Sequence, residues 1–301
     1  MARVDKFTRA AVGHLLAHFE RRQKVNPQTG EMEYVRFGNR DIDTRWSPLN
    51  YRTWPPMAED DVKARGLQAD PQLEAAWEAT GDPAGETSLD RWRRIYHGAE
   101  KAKRKDLASL CCWVASLPDP IPLDRAEQFF NLVTRYCIRK YGAENVVGAW
   151  VHWDEAGRPH IHVAFVPVVT STGSDGSTTR RICAKEVLNR KHLQGWHGGL
   201  VDDVKKAMPG IEDPGILNGK TKEQGGNRTV SQMKASDRAY QRTRGREIDG
   251  YRAKALRAYQ EACRRASRST LDNLCMDAEN RREHALQPSR KRTLGEILTR
   301  R

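Results

Sequence analysis

Three of the nine histidines fall within eleven residues, in the string His152-Trp153-Asp154-Glu155-Ala156-Gly157-Arg158-Pro159-His160-Ile161-His162. Successive side chains on a β-strand alternate faces, so His160 and His162 point the same way. Cross-strand partners also share a face. If Trp153 and Pro159 are joined by a five-residue loop, His152 lies opposite His160. Asp154-Glu155-Ala156-Gly157 supplies the turn chemistry such a loop needs. His152, His160 and His162 would then converge on one cation while leaving coordination positions open, which is the condition for catalysis. A cation held this way polarises a scissile phosphate and offsets the charge of in-line attack. Imidazoles bind first-row metals well without selecting among Mn, Zn, Co or Ni; the expected cofactor is a divalent metal ion, with Mn or Mg placed first and Zn, Co or Ni as alternatives. Asp154 and Glu155 are close enough to orient a histidine N–H or to move a proton. Two plainer readings compete: a His-rich surface hairpin, and a structural zinc site. The second would normally show a fourth ligand such as cysteine, and none is near in sequence.

Residues 146–153 and 160–169 are β-rich runs that read as the two arms of this hairpin. Upstream, residues 107–117 form an apolar strand candidate. Residues 124–141 carry Phe129, Phe130, Val133, Tyr136 and Cys137 at helical spacing, with Gly142 as a C-cap. The chain opens with a short strand over residues 2–7. A helix over 8–22 follows, with Thr8 as its N-cap and Ala11, Leu15, Leu16 and Phe19 at helical spacing. That helix puts His18 and Arg21 one turn apart on a shared face, with His14 a turn earlier. Residues 40–51 look irregular, and 55–106 read as helical pieces broken at Gly81-Asp82-Pro83-Ala84-Gly85. Residues 170–179 read as a polar loop, 181–185 as one more strand, 187–208 as a helix and 230–285 as one or two long basic helices. Strands and helices joined by a hairpin predict an α+β fold, a mostly antiparallel central sheet with helices packed on it. The expected division is a catalytic domain over residues 1–228 and a basic helical C-terminal region over 229–301.

The net charge is +13. Between Ser231 and Arg301 there are 18 Lys and Arg against 9 Asp and Glu. Such a surface displaces counterions from phosphate, although a ribosome or an acidic protein would also suit it. Arg242, Arg244 and Arg246 are the expected DNA-backbone contacts, without sequence specificity. The six cysteines show no CxxC pair, which excludes a zinc ribbon and fits reduced, structural thiols. No apolar run approaches the ~20 residues that span a bilayer. No signal-peptide core marks residues 1–22. A cytoplasmic protein with no stable membrane insertion is expected. Gly219-Lys220-Thr221-Lys222 lacks the spacing of a phosphate-binding loop. Trp150 and Trp153 could stack on bases. Trp153 alternates away from His152 and reads as core.

The string H-W-D-E-A-G-R-P-H-I-H resembles the HxDExxPHxH motif of the Pre/Mob (MobV) plasmid mobilisation and recombination relaxases. These belong to the three-histidine (HUH) class of endonucleases. His18-Phe19-Glu20-Arg21 is similar to that family's HNxR motif. Asn39-Arg40-Asp41-Ile42-Asp43 with Ser47-Pro48-Leu49-Asn50-Tyr51 is similar to its NxDID…SxLNY segment. The three motifs occur in the family's order, and the likeness covers roughly residues 1–230. The chain departs from the pattern in three places. It has one residue more between Glu155 and Pro159, Phe19 in place of Asn, and Pro48 where His is common. The longer loop is expected to shift Glu155 relative to the metal.

The resemblance implies a relaxase: nicking of one DNA strand at an origin of transfer, a covalent link to the 5′ phosphate, a free 3′-OH, and rejoining after transfer. It implies His18 as nucleophile and Arg21 as the group holding the phosphate. A neutral imidazole attacks phosphorus near neutral pH, which an unactivated hydroxyl does not. Tyr51 is the competing nucleophile, because most relaxases use tyrosine. Asn50 would order its loop or touch DNA. The implied partners are origin-of-transfer DNA, single-stranded and with an inverted repeat, and beyond it a coupling protein or type IV secretion apparatus. Two other function classes stay open: a metal-dependent phosphodiesterase for a small substrate, and a non-enzymatic nucleic-acid binder with a structural metal.

Overall fold

The computed structural model describes residues 2–25, 28–30, 32–34, 42–83, 85–216 and 244–270. Strand β1 (Ala2–Thr8) leads into helix α1 (Arg9–Phe19). A small hairpin follows, β2 (Gln23–Val25) and β3 (Met32–Tyr34), and then a 3-10 turn over Thr44–Leu49. Next come β4 (Tyr51–Trp54), α2 (Glu59–Ala64), α3 (Pro71–Glu78) and α4 (Ser88–His97). The middle of the chain is β5 (Ala108–Ser116), α5 (Ala126–Tyr141), β6 (Val146–His152) and β7 (His160–Phe165). Then follow β8 (Val168–Thr172), β9 (Thr178–Ile182), α6 (Ala184–Val187) and α7 (Arg190–Ala207). A further helix, α8, covers residues 244–270.

Five strands form one antiparallel sheet in the order β1-β5-β7-β6-β4. One face packs on α5 and α7 through Trp113, Ile161, Phe129, Phe130, Trp196 and Leu200. The other packs on α1 and α4 through Val12, Leu16, Phe19, Trp92, Cys112 and Trp150. Every residue of β6 is buried, as expected of a central strand covered on both sides. The fold is therefore α+β, as the pattern predicts. Helix α5 ends at Gly142, whose φ of 84° lies in the region that favours glycine.

Several boundaries differ from expectation. Thr8 occupies the N-cap of α1 but its side chain makes no capping bond. The polar segment after residue 168 is a hairpin, β8 on β9, rather than a loop followed by a strand. Its exposed positions lack the apolar alternation that sequence patterning detects. Strand β4 was not expected at all. It is four residues long, with a register irregularity between Arg52 and Trp54, and Pro55 follows it. It is a strand because it pairs with the edge of β6, with Tyr51 opposite Val151. The five cysteines among the described residues are all free.

Trp196 seats α7 on the sheet. It is fully buried, stacks on Trp113 at 3.7 Å between centroids, and its carbonyl accepts from the Tyr136 hydroxyl. Trp196→Ala is expected to destabilise the fold by about 3–5 kcal/mol, through lost apolar burial and the cavity left behind. Guanidinium denaturation measures this directly.

Candidate metal and nucleophile site

The hairpin of β6 and β7 places His152 opposite His160, and Trp150 opposite His162. All three histidines lie on the sheet face covered by α1, where His162 is stacked by the Phe19 ring at 4.5 Å. The Nε2 atoms of His160 and His162 stand 3.1 Å apart. Two ligand nitrogens about 2.1 Å from a common cation, at tetrahedral to right-angle geometry, would be separated by about 3.0–3.4 Å. His152 Nε2 donates to the Phe19 carbonyl at 2.8 Å, so Nδ1 carries the lone pair, which accepts from Arg21 Nη2 at 3.2 Å. His152 Nδ1 lies 3.6 Å from a Glu155 carboxylate oxygen. One ligand atom each from His152, Glu155, His160 and His162 lie within 4.8 Å of one another. The donor set therefore fits a divalent cation. The longer loop does not remove Glu155 from the cluster; it enters as a fourth potential ligand.

Burial lowers the pKa of His160 to about 4 and that of His162 well below its ordinary value. Both rings are accordingly neutral near pH 7, the form that binds metal. Burial raises the Glu155 carboxyl. Its contact with His152 and the permanent charge of the Arg21 guanidinium outweigh that, holding it well below the usual carboxylate range.

His18 stands at the C-terminal end of α1. Its ring is 6.0 Å from that of His152 and 6.2 Å from that of His162, and its Nε2 is 3.8 Å from Glu155 Oε1. Burial, followed by the charge of Arg21, lowers its pKa to about 4. Arg21 follows the helix with φ +48°, a left-handed conformation that costs a non-glycine residue about 1–3 kcal/mol. The strained backbone aims the guanidinium inward. Nε and Nη2 each donate to an Asp154 oxygen at 2.9 Å, Nη2 also to Glu155 at 2.5 Å, and Nη1 to the His18 carbonyl and toward His18 Nδ1. Arg21 is 8% exposed and its donors are spent on protein groups. It ties His18 to the Asp154-Glu155 turn.

Asp154 is fully buried and also accepts from the Ser47 hydroxyl at 2.7 Å. Asp154→Ala would strand the Arg21 cation without its main partner. A loss of about 3–5 kcal/mol is expected, read by urea denaturation of the metal-free protein. Asp154→Asn should lose less, because its amide oxygen still accepts one bond.

Tyr51 is not brought to the site. It pairs with Val151 and shares its face, which is the α5 side of the sheet and opposite the histidines. It is 8% exposed, and burial pushes its hydroxyl pKa well above 10. Asn50 accepts from the Trp153 backbone N–H at 2.6 Å and so fixes the end of β6. Trp150 and Trp153 are both core residues. Arg244 is exposed beside Glu247, Arg246 is exposed, and Arg242 and Asn39 to Asp41 lie outside the described residues. Ser47, the Phe19 carbonyl and Arg252 were not anticipated. Arg252, on α8, donates to the carbonyls of Glu155 and Gly157. Nothing in a run of basic residues marks one of them as turned inward.

Residues 121–238 match the family model described as plasmid recombination enzyme (Mob_Pre). A plasmid recombination enzyme of Lactiplantibacillus plantarum is 29% identical over 112 residues, covering 36% of this chain and 28% of that protein. A type 3 plasmid recombination enzyme of Staphylococcus aureus is 34% identical over 87 residues, covering 29% of this chain and 19% of that protein. The matched part of the chain thus spans less than a third of these curated relatives. The Mn-bound MobM relaxase domain (MOBV; Mob_Pre), solved with plasmid pMV158 oriT DNA, shares the fold. Its TM-score is 0.50 at 19% identity, over 78% of this chain and 97% of that one. The family match holds the histidine hairpin. Over residues 121–238 the chain is thus similar to the Pre/Mob plasmid recombination enzymes, and it shares the fold of the MobM relaxase domain.

Proposed function

We propose that this protein is a plasmid relaxase, a metal-dependent enzyme that nicks and rejoins one DNA strand at an origin of transfer. The observation that carries the reading is the placement of His18, from the first helix, against the cluster of His152, Glu155, His160 and His162 on the central hairpin. A divalent cation bound there would stabilise negative charge on the scissile phosphate. A neutral imidazole attacks through its unprotonated nitrogen, so the ring proton is on Nδ1 when Nε2 attacks phosphorus. Glu155, held ionised 3.8 Å from Nε2, is placed to offset the positive charge that the ring gains as the bond forms, and the departing O3′ takes its proton from solvent. A nitrogen–phosphorus bond to the 5′ phosphate forms, the bond to O3′ breaks, and a 3′-OH is released. Religation runs the same steps backwards.

The first catalytic unit is assigned to residues 1–228. The basic region from 229 onward, with Arg244 and Arg246 exposed, is assigned to non-specific phosphate contact. Relaxase structures bound to oriT DNA and to Mn support the DNA substrate and the divalent metal. Among the described residues no helix is long and apolar enough to cross a membrane. The setting proposed is the cytoplasm, with a coupling protein or secretion apparatus receiving the DNA–protein adduct.

The test uses the full chain with supercoiled plasmid carrying its own origin. Addition of Mn(II) should give nicked circles and an adduct that resists SDS, both suppressed by chelation. Mass spectrometry of the DNA-linked peptide should find the attachment on residues 9–20. Nicking that survives chelation, or cleavage with no adduct, would exclude this mechanism.

A further inference from the structure

We infer that Arg252 is a positioning residue for the metal-site loop, clamping from outside the turn whose carboxylates Arg21 holds from within. The inference rests on the proposed use of Glu155 at the metal site. Composition assigns the arginines of residues 229–301 to phosphate contact, yet Arg252 is only 5% exposed. Its Nη2 donates to the Glu155 carbonyl at 2.8 Å and to the Gly157 carbonyl at 3.0 Å. Its Nη1 meets Asp249, one turn earlier on α8, at 3.1 Å, and the charges of Asp154 and Asp43 lie close enough to act on it. The same stretch of helix is fixed on either side. Ile248 is 1% exposed, and Tyr251 stacks on Trp153 at 5.3 Å. Further along, Tyr259 lies under the Arg65 guanidinium at 4.9 Å. Helix α8 is therefore seated on the junction between β6 and the loop.

The loop has reason to need a clamp. Residues 154–158 contain one residue more than the family spacing, and the Glu155 and Gly157 carbonyls lie outside the β-ladder. Gly157 takes φ +88°, the sort of reversal that lets two carbonyls face one donor. A buried guanidinium, planar and always charged, satisfies both at once, which a single ammonium does less well. With the Glu155 backbone pinned by Arg252 and its carboxylate engaged by Arg21, the side chain has one direction left, toward His160 and His18.

The test compares Arg252→Met and Arg252→Lys in the full chain. Two readouts are used: amide hydrogen exchange over residues 154–158 in metal-free protein, and the Kd for Mn(II) by electron paramagnetic resonance. Arg252→Met should speed exchange in that loop at least tenfold and weaken Mn(II) about tenfold, the lower end of effects seen when an outer-shell partner is lost. Arg252→Lys should fall between. In a Glu155→Gln background the Mn(II) effect of Arg252→Met should vanish, because the clamp acts through that carboxylate. A lower Tm with loop exchange and Kd unchanged would overturn the inference and reduce Arg252 to a docking contact. If Arg252→Met does not fold, Arg252→Lys decides by the same two readouts. A wild-type chain that binds no Mn(II) would overturn the proposed function, and loop exchange would still decide the clamp.

Discussion

His18→Ala is expected to abolish the covalent DNA adduct and to lower nicking at least ~10⁴-fold, about 5.4 kcal/mol of transition-state stabilisation. Origin binding and Mn(II) affinity should stay within a few-fold of the parent protein. The size follows from the role, since neither the other clustered histidines nor Tyr51 is placed to substitute for His18. Among the described residues, the nearest imidazoles, His152, His160 and His162, are the proposed metal ligands, and Tyr51 faces the opposite side of the sheet. The separation of effects follows from the contacts. His18 touches the cluster at ring distances of 6.0 and 6.2 Å rather than within it. Its removal leaves Arg21 bonded to Asp154 and Glu155, so the turn keeps its anchor. Plasmid nicking and SDS-gel detection of the adduct read both quantities. An adduct that persists in His18→Ala and disappears in Tyr51→Phe would transfer the role to tyrosine and require β4 to reverse its face.

His162→Ala should weaken Mn(II) binding at least ~100-fold, about 2.7 kcal/mol, and take the metal-dependent nicking with it at micromolar metal. Loss of an outer-shell partner already costs about 10–100-fold, and a ligand itself costs more. His162 is the least replaceable of the three. Its Nε2 is 3.1 Å from that of His160, and the Phe19 ring fixes its plane from one side. His162→Gln keeps most of the volume and guards against a packing defect being mistaken for a lost ligand. Equal Mn(II) affinity in parent and variant would remove this histidine from the site.

The two outcomes together bear on how the site is organised. Glu155 contacts His18, His152, His160 and Arg21, all from one short turn. Arg21 binds the same turn and reaches back to the nucleophile at the end of α1. The nucleophile and the metal cluster are thus linked through two side chains, one of them on a strained backbone. A loop that had drifted by an ångström would misplace both, which is why the outer hold on its carbonyls matters for chemistry as well as for stability.

The histidine constellation could be read before any folding because strand geometry has a fixed period of two. Once residues 146–153 and 160–169 are recognised as hairpin arms, His152, His160 and His162 must share a face, and the observed register agrees. The helix carrying His18 and the α5 helix are equally accessible, since both rest on local periodicity and α5 also on its Gly142 cap. What lay beyond local patterning was decided by packing partners distant in the chain. Tyr51 turns away from the site because β4 pairs with β6 in one particular register, and a shift of one residue would have reversed its face. Arg21 became an internal tie because a carboxylate 133 residues away takes its donors. Arg252, 97 residues beyond Glu155, was indistinguishable from its basic neighbours until the helix was seated. Periodicity is a property of neighbours in sequence; which charge is buried against which is settled only when the chain closes on itself.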